Sequence, residues 1–309
     1  MMKTNLILAL GRLIMASVLG LLLASTVQAE LAVIPDTEVS TLVSQATGET
    51  YRITVHVPPT GPDASAPRVA LPTIYVLDGL WHFARTQALC SGLAFDKDMP
   101  PAILVAVDYP VAVPEVLKKR QLDLTYGTAA EPGPAGGAPA FLRFLAEELT
   151  PWIEARYPSD PAARALAGHS YAGHFALYAW AARPGFYTRV LAASPYWNPS
   201  LRAWLEKDAP GVSRPTPAPR TRLDVSSGAP GVEYADCTLS AEVVDSVRAF
   251  ERRGGVGTDL RFAMYPDLKH AAVAHTIYAH GLPWLFSEQP GRTERLSWQS
   301  GLGDLAPLK

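Results

Sequence analysis

Residues 165–173 read Ala-Leu-Ala-Gly-His-Ser-Tyr-Ala-Gly, and the fold class follows from this stretch and the segments around it. It joins a short apolar segment, typical of a buried strand, directly to a segment with helical periodicity. A tight strand-to-helix turn lifts a serine hydroxyl clear of the sheet. The helix N-terminus then directs amide N–H groups at any oxyanion formed there. The turn therefore predicts Ser170 as a nucleophile, and a glycine-rich turn capped by a serine is the alternative.

Outward from this turn, strand-like and helix-like segments alternate along the chain. Short apolar or alternating runs predict strands at residues 51–57, 73–77, 102–107, 164–167, 190–193, 223–225 and 260–264. Helical spacing of apolar residues occurs at residues 141–149, 175–182, 243–250 and 277–286, with a restart at Thr150-Pro151. This alternation predicts an α/β fold with a mostly parallel central sheet and helices on both faces.

Composition excludes several classes of protein. The 309 residues are 48% hydrophobic and 18% charged, enough apolar material for a large core, which excludes a disordered chain. Lys+Arg 27 against Asp+Glu 29 leaves a net charge of −2 without a strongly basic tract, so we expect no nucleic-acid partner. Two cysteines, Cys90 and Cys237, exclude a cysteine-rich zinc site. The sequence leaves open whether these two form a disulfide or stay free.

The first 29 residues have the pattern of a secretory signal peptide. Lys3 precedes an uncharged apolar stretch, residues 13–25, and Ala29 ends a small-residue cleavage site. The pattern predicts a periplasmic or secreted protein without a membrane anchor after cleavage; a retained anchor helix is the alternative. Residues 30–309 are predicted to form one domain, with residues 288–309 as a polar C-terminal tail.

A nucleophilic serine needs a base, and chain order points to His270. This histidine follows the predicted strand at residues 260–264, where a last-strand loop brings a base to the edge of the sheet that holds Ser170. His275 and His280 follow at spacings of five residues, which rotate about 140° per step on a helix, so the three share no face. No H-E-x-x-H motif is present, and we expect no metal.

The loop at residues 226–236 offers two acids to orient that histidine. Glu233 is the favoured residue and Asp236 is the alternative. The order serine, acid, histidine along the chain is the order expected for an α/β-hydrolase.

These motifs together resemble the esterase D-like, "putative esterase" branch of the α/β-hydrolases, and within it the bacterial periplasmic esterases of siderophore trilactones. The resemblance covers residues 41–286. It rests on residues 75–79, 120–125, 137–157, 168–170, 194–197 and 269–273. Two positions depart from the family pattern: Ala172 replaces a glycine of the usual G-x-S-x-G, and the acid is displaced from its usual position. Some siderophore-type relatives work with a Ser–His pair, which leaves the acid open.

The resemblance implies a covalent mechanism without a cofactor. Ser170 attacks an ester carbonyl while His270 takes its proton. The backbone N–H groups of Tyr171 and Leu80 are the expected oxyanion donors.

Candidate substrate contacts lie on loops beside the predicted strands. Aromatic side chains at Trp81, Phe83, Tyr196 and Trp197 are candidates for an acyl or aryl pocket. Arg120 is a candidate for binding an anionic substrate group, although an ion pair between Arg120 and Asp123 is the favoured interpretation.

Three functions fit the sequence. The first is a serine esterase that acts on a small-molecule ester, such as a siderophore trilactone. The second is an acyltransferase of the same fold, which passes the acyl group to an alcohol. The third is a non-catalytic binding module, against which the presence of both Ser170 and His270 argues.

Overall fold

A computed structural model describes residues 33–59, 69–127, 134–210, 221–254 and 257–287. The chain divides into two units, Met1–Ile34 and Pro35–Lys309. The predicted signal peptide, residues 1–29, lies outside the described residues, and so does the predicted tail, residues 288–309. The architecture is therefore that of the second unit.

Eight strands form one sheet. In chain order they are β1 Thr37–Val43, β2 Thr50–His56, β3 Leu71–Leu77, β4 Ile103–Asp108, β5 Ser159–His169, β6 Arg189–Ala193, β7 Thr221–Gly228 and β8 Thr258–Tyr265. Their order across the sheet is β1-β2-β4-β3-β5-β6-β7-β8. β1 and β2 run antiparallel to their neighbours, and all pairings from β4 to β8 are parallel.

Eight α-helices connect or follow the strands. They are α1 Gly79–Phe95, α2 Val113–Asp123, α3 Ala138–Arg143, α4 Thr150–Glu154, α5 Tyr171–Ala182, α6 Pro199–Ala203, α7 Ala241–Gly254 and α8 His270–Phe286, counted over the described residues. A π-helical segment, Phe144–Leu149, continues α3 into α4 without a break. An α-helix begins at Thr150 with Pro151 in its first turn, as predicted, but its N-cap is Leu149 rather than Thr150, and Leu149 keeps helical angles.

The sheet is covered on both faces. Every residue of β4 and of β7 is buried, which requires packing above and below those strands. Helix α5 is buried along nearly its whole length. The predicted α/β class, with a mostly parallel sheet between two helical layers, is confirmed, and the strand order is that of an α/β-hydrolase fold.

The parallel strands end along one edge of the sheet. Because parallel strands point the same way, the loops after β3, β5, β6, β7 and β8 all emerge at this edge. Crevices outside the carboxyl ends of such strands are the usual binding sites of open α/β sheets. No helix in the described part of the chain is long and apolar enough to cross a membrane.

Candidate active site

Ser170 stands at the sharp turn between β5 and α5. It is the N-cap residue of α5, with φ 63° and ψ −121°, a conformation that costs a non-glycine residue about 1–3 kcal/mol. Backbone hydrogen bonds hold the turn in this strained form. The amide of Ser170 donates to Ala193 O at 3.0 Å, and its carbonyl accepts from the amides of His174 and Tyr196 at 2.9 and 3.0 Å.

Two glycines make this turn possible. A Cβ added to Gly168 would lie 2.2 Å from the carbonyl oxygen of Ala172, and one added to Gly173 would lie 2.7 Å from that of Ala193. Neither contact can exist in a real protein, so both positions require glycine. The missing side chain at Gly168 also leaves room for the methyl of Ala172, which explains why alanine fits where the usual motif has glycine.

His270 is the first residue of α8, immediately after the loop that follows β8. Its Nδ1 lies 2.7 Å from Oε1 of Glu233, which is buried in the loop after β7. The His270 ring packs against two others: the His169 ring at 4.3 Å and the Tyr234 ring at 4.7 Å, measured between centroids. Because His169 adjoins Ser170 in the chain, these contacts bring the base and the nucleophile candidates to one place.

Glu233 is held as a charged acceptor. Its Oε1 also accepts from the Tyr234 amide at 2.9 Å, and its Oε2 accepts from the Ser194 hydroxyl at 2.9 Å. Burial by itself raises the pKa of Glu233, but the hydrogen bonds from His270, Tyr234 and Ser194 outweigh it and lower the pKa below its usual value. The carboxylate therefore favours the Nδ1–H tautomer of His270, which leaves Nε2 to accept a proton.

The alternative acid is placed differently. Asp236 lies in a short 3₁₀ turn, Ala235–Cys237, and is exposed, whereas Glu233 contacts His270. The loop approaches the histidine closely because Gly228 has no side chain: an added Cβ would lie 2.9 Å from both Glu233 Cβ and Leu268 O.

Ser170 also contacts a cysteine. Its hydroxyl makes a side-chain hydrogen bond with Cys237, a buried thiol whose pKa is raised, chiefly by burial. Between the described side chains of Ser170 and His270 there is no such bond, and catalytic hydrogen bonds of this type often tighten only when substrate binds. Both Cys90 and Cys237 are free, so the disulfide that the sequence left open is not formed.

The two predicted oxyanion donors begin helices at the same edge. Tyr171 is the first residue of α5, and Leu80 is the second residue of α1. The amide of Leu80 also interacts with the carboxylate of Asp108 at the end of β4, whose pKa is raised, chiefly by burial. An oxyanion would therefore compete with Asp108 for this amide.

Arg120 forms an ion pair with a different residue from the one the sequence suggested. Its Nε and Nη2 donate to the two carboxylate oxygens of Asp78 at 2.8 and 2.6 Å, and its guanidinium stacks on the rings of Trp81 and Tyr171. The expected ion pair with Asp123 is wrong, because Asp123 turns into the core and accepts from two tyrosines. Two of the five N–H groups of the Arg120 guanidinium are engaged with Asp78.

The aromatic candidates divide into exposed and buried residues. Trp81 is 39% exposed beside Arg120, whereas Phe83 and Tyr196 are buried. Trp197 is partly buried and packs against the core. Sequence analysis did not identify Tyr234 as a site residue, although it is 63% exposed and packs against the His270 ring. Its position next to Glu233 in the acid loop was the only available signal.

The other histidine next to the turn has a structural role. His174 is fully buried, with Nδ1 2.8 Å from Tyr196 O and Nε2 accepting from the Tyr126 amide at 2.9 Å. Burial lowers the pKa of His174 to about 4, so the ring is neutral and has no nitrogen left for chemistry. Among the described residues, no group of three or more His, Cys, Asp or Glu side chains could hold a metal ion.

Comparisons with known proteins identify a family for the chain. The family model described as "Putative esterase" matches residues 44–248. A siderophore triacetylfusarinine C esterase of Aspergillus fumigatus is 38% identical over 156 residues, which are 49% of this chain and 53% of the relative. The ferri-bacillibactin esterase BesA of Bacillus subtilis is 33% identical over 180 residues, covering 53% of this chain and 61% of the relative.

The chain thus spans between half and two thirds of the length of these curated relatives. Among solved structures, the BES protein from Bacillus cereus superposes with a TM-score of 0.65 and 26% identity. That superposition covers 85% of this chain and 99% of the other.

Proposed function

The chain belongs to the family described as "Putative esterase", and from that premise we propose that it is a serine hydrolase of carboxylic esters. One observation carries the proposal. The buried carboxylate of Glu233 orients His270 at 2.7 Å, and His270 packs against the residue that precedes Ser170 in its strained turn. Nucleophile, orienting acid and base, in this order along the chain, match the roles of a catalytic triad.

In the acylation step, Ser170 Oγ attacks the ester carbonyl as His270 Nε2 accepts its proton. Glu233 stabilises the imidazolium through Nδ1–H. The amides of Tyr171 and Leu80 receive the developing oxyanion. When the tetrahedral intermediate collapses, the bond to the alcohol oxygen breaks, and His270 returns its proton to that alcohol.

Deacylation repeats these roles with water as the nucleophile. His270 takes a proton from the water, which attacks the acyl carbon, and the Ser170 oxygen leaves and regains the proton. The carboxylic acid is released and the enzyme is restored. These residues complete the cycle by covalent catalysis, proton transfer and charge stabilisation.

We further propose a siderophore-type trilactone, or another small ester, as the substrate. The names of the two curated relatives support this class. The exposed rings of Trp81 and Tyr234 would contact such a substrate at the rim of the site, and a ferric ion would enter as part of the substrate. Acyl transfer to an alcohol and ligand binding without chemistry remain the competing functions, and no observed contact favours either.

A product assay separates these functions. Ferric complexes of a catecholate trilactone and of a cyclic hydroxamate ester are incubated with the protein, alongside p-nitrophenyl acetate and butyrate. An added alcohol tests for transfer, and mass spectrometry identifies the products. The proposal expects ring-opened acid that is absent with Ser170→Ala; a new ester of the added alcohol would favour transfer, and bound but unchanged substrate would favour a binding module.

We also propose that residues 1–29 are removed on export, leaving residues 30–309 as one periplasmic or secreted domain. The support is the sequence pattern of Lys3, the apolar stretch and Ala29. The intact mass of material from the periplasmic fraction is expected to correspond to a chain that begins at Glu30. Full-length protein in the membrane fraction would favour the anchor helix instead.

A further inference from the structure

A second cluster of buried polar groups lies behind His270, where helices α1 and α8 pack together. It continues the row of rings inward from the active site. The His169 ring, which contacts His270, lies 5.5 Å from the ring of His82 on α1. The His82 ring in turn stacks on Tyr278 of α8, at 5.5 Å and 13° between planes. All three of these side chains are more than nine-tenths buried.

Four polar atoms of this cluster have no hydrogen-bond partner among the residues that the structure describes. They are His82 Nδ1, His169 Nε2, Tyr278 Oη and Arg85 Nε, and each is shielded from solvent. Buried polar groups in proteins are nearly always hydrogen-bonded, so one unpaired atom needs an explanation. Four in one place indicate that something other than the described protein atoms completes the cluster.

The unpaired atoms are mainly donors. Arg85 Nη2 lies 3.5 Å from His82 Nε2, and because a guanidinium can only donate, Nε2 of His82 must accept. A neutral imidazole then carries its hydrogen on Nδ1, which makes the unpaired Nδ1 of His82 a donor. Arg85 Nε–H is a second donor, and the Tyr278 hydroxyl supplies a third. Three of the four unpaired atoms are therefore donors without an acceptor.

The cluster also contains a cation, Arg85, whose Nε is shielded from solvent although the side chain as a whole is only partly buried. Arg85 forms no ion pair with any described carboxylate. The nearby acid, Asp78, is already bonded through both oxygens to Arg120. Burial, followed by the Arg85 charge, lowers the pKa of His82 to about 3, so this ring stays neutral and adds a dipole rather than a second cation.

We propose that a small monovalent anion of the size of chloride binds between α1 and α8. Arg85 Nε–H, His82 Nδ1–H and the Tyr278 hydroxyl would donate to it, and the guanidinium would balance its charge. The anion would link the helix that begins with Gly79 and Leu80 to the helix that begins with His270. It would therefore stabilise the packing of these two helices, whether or not the proposed esterase activity is correct.

Thermal unfolding in matched salts tests this site. Wild-type protein is compared in sodium chloride and in sodium gluconate at equal ionic strength, because gluconate is too large for a buried site of this kind. We expect the Tm to rise with the logarithm of the chloride concentration above the Kd, by about 3–5 °C at ten times the Kd. An equal Tm in the two salts would overturn the proposal.

Three variants localise the effect. Arg85→Gln removes the cation and Tyr278→Phe removes only a hydroxyl, and both are expected to lose the chloride-specific rise. Arg156→Gln is the matched control, because it removes an arginine that stacks on Trp152 at the surface, and it should keep the full rise. If Arg85→Gln does not fold, Tyr278→Phe carries the test. A chloride rise that Tyr278→Phe and Arg85→Gln both retain would place any anion elsewhere and refute the site.

Crystals grown in sodium bromide give a direct view. The proposal expects an anomalous peak within hydrogen-bonding distance of Arg85 Nε and Tyr278 Oη. Density there without anomalous signal would mean that water alone fills the cluster, and that would overturn the proposal.

Discussion

Two buried carboxylates, Glu233 and Asp123, lie in different regions of the molecule and have pKa values shifted in opposite directions. Glu233, at the carboxyl edge of the sheet, accepts from His270, an amide and a serine, and its pKa is lowered. Asp123, at the end of α2, accepts from the phenols of Tyr51 and Tyr109 at 2.7 and 3.1 Å. Burial raises the pKa of Asp123 to about 6, despite those two hydrogen bonds.

The difference shows how burial of the same group serves two purposes. At the carboxyl edge, Glu233 is bonded to His270, which can become a cation and retains Nε2 for proton transfer. Around Asp123, the donors are neutral, and all three side chains are buried in the core between β2 and α2. The Glu233 region should therefore govern turnover, and the Asp123 region should govern stability and its dependence on pH.

The largest expected effect is on the nucleophile and base. Ser170→Ala should lower kcat for p-nitrophenyl butyrate by about 10⁶-fold. His270→Ala should lower it by nearly as much, because the effects of residues that act as a unit are not additive. Stability separates the two variants. Ser170→Ala should leave the free energy of unfolding nearly unchanged, whereas His270→Ala strands the Glu233 carboxylate and should cost about 1–3 kcal/mol.

His275→Ala is the matched control for the base, since this residue is exposed on the same helix. It should retain nearly full activity. Two results would contradict the assignment of the carboxyl edge as the catalytic region. One is an inactive His275→Ala variant, and the other is a Ser170→Ala variant with more than about a tenth of wild-type turnover.

The next prediction compares the effects of replacing the two acids in the loop after β7. Glu233→Gln should lower kcat by about 10³ to 10⁴, because an amide no longer fixes the imidazole tautomer. Asp236→Asn should change kcat little, since its side chain is exposed. If Glu233→Gln loses less than about tenfold, the protein works as a Ser–His pair, and Glu233 would then have a structural role like that of Asp123.

A pH series tests the other carboxylate. The folded pKa of Asp123 is raised from 3.8 to about 6, so the folded state binds a proton that the unfolded state has lost. Its stabilising contribution is present below about pH 4 and is lost as the pH rises through 6, by at most about 3 kcal/mol. Asp123→Asn should remove this fall, as measured by urea unfolding from pH 4 to 7; an identical pH profile for variant and wild type would contradict it.

The smallest effect concerns one hydrogen bond to Asp123. Tyr51→Phe keeps the ring that stacks on Phe144 at 4.2 Å but removes the hydroxyl that donates to Asp123. The expected cost is about 1 kcal/mol in the free energy of unfolding, with no change in kcat. A large loss of turnover would show that the two regions are coupled.

Much of the fold could be predicted from periodicity. The seven strands predicted between residues 51 and 264 all occur. Six are parallel strands, which are short apolar runs bounded by turn residues, and β2 has the alternating pattern of a half-buried strand. β1 was missed because an exposed edge strand such as Thr37–Val43 needs little apolar patterning. Helix α1 was missed because its N-cap, Asp78, adopts left-handed angles and makes no side-chain capping bond.

The candidate site could likewise be predicted only in part from the sequence. The placement of Ser170 and His270 follows from chain order and strand ends, which sequence records. The neighbours of Arg120 and of Tyr234 depend on how separate loops meet at the carboxyl edge, which no local pattern encodes. The row of rings from His270 to Tyr278 likewise joins three elements far apart in the chain.

Covalent labelling tests whether Ser170 is a nucleophile that His270 activates. Wild-type protein is treated with a fluorophosphonate, and the adduct is measured by intact mass and located by peptide mapping. One adduct on Ser170 is expected, with labelling slowed by orders of magnitude in His270→Ala and unchanged in His275→Ala. An adduct on another residue, or equal labelling of Ser170 in His270→Ala, would contradict the account.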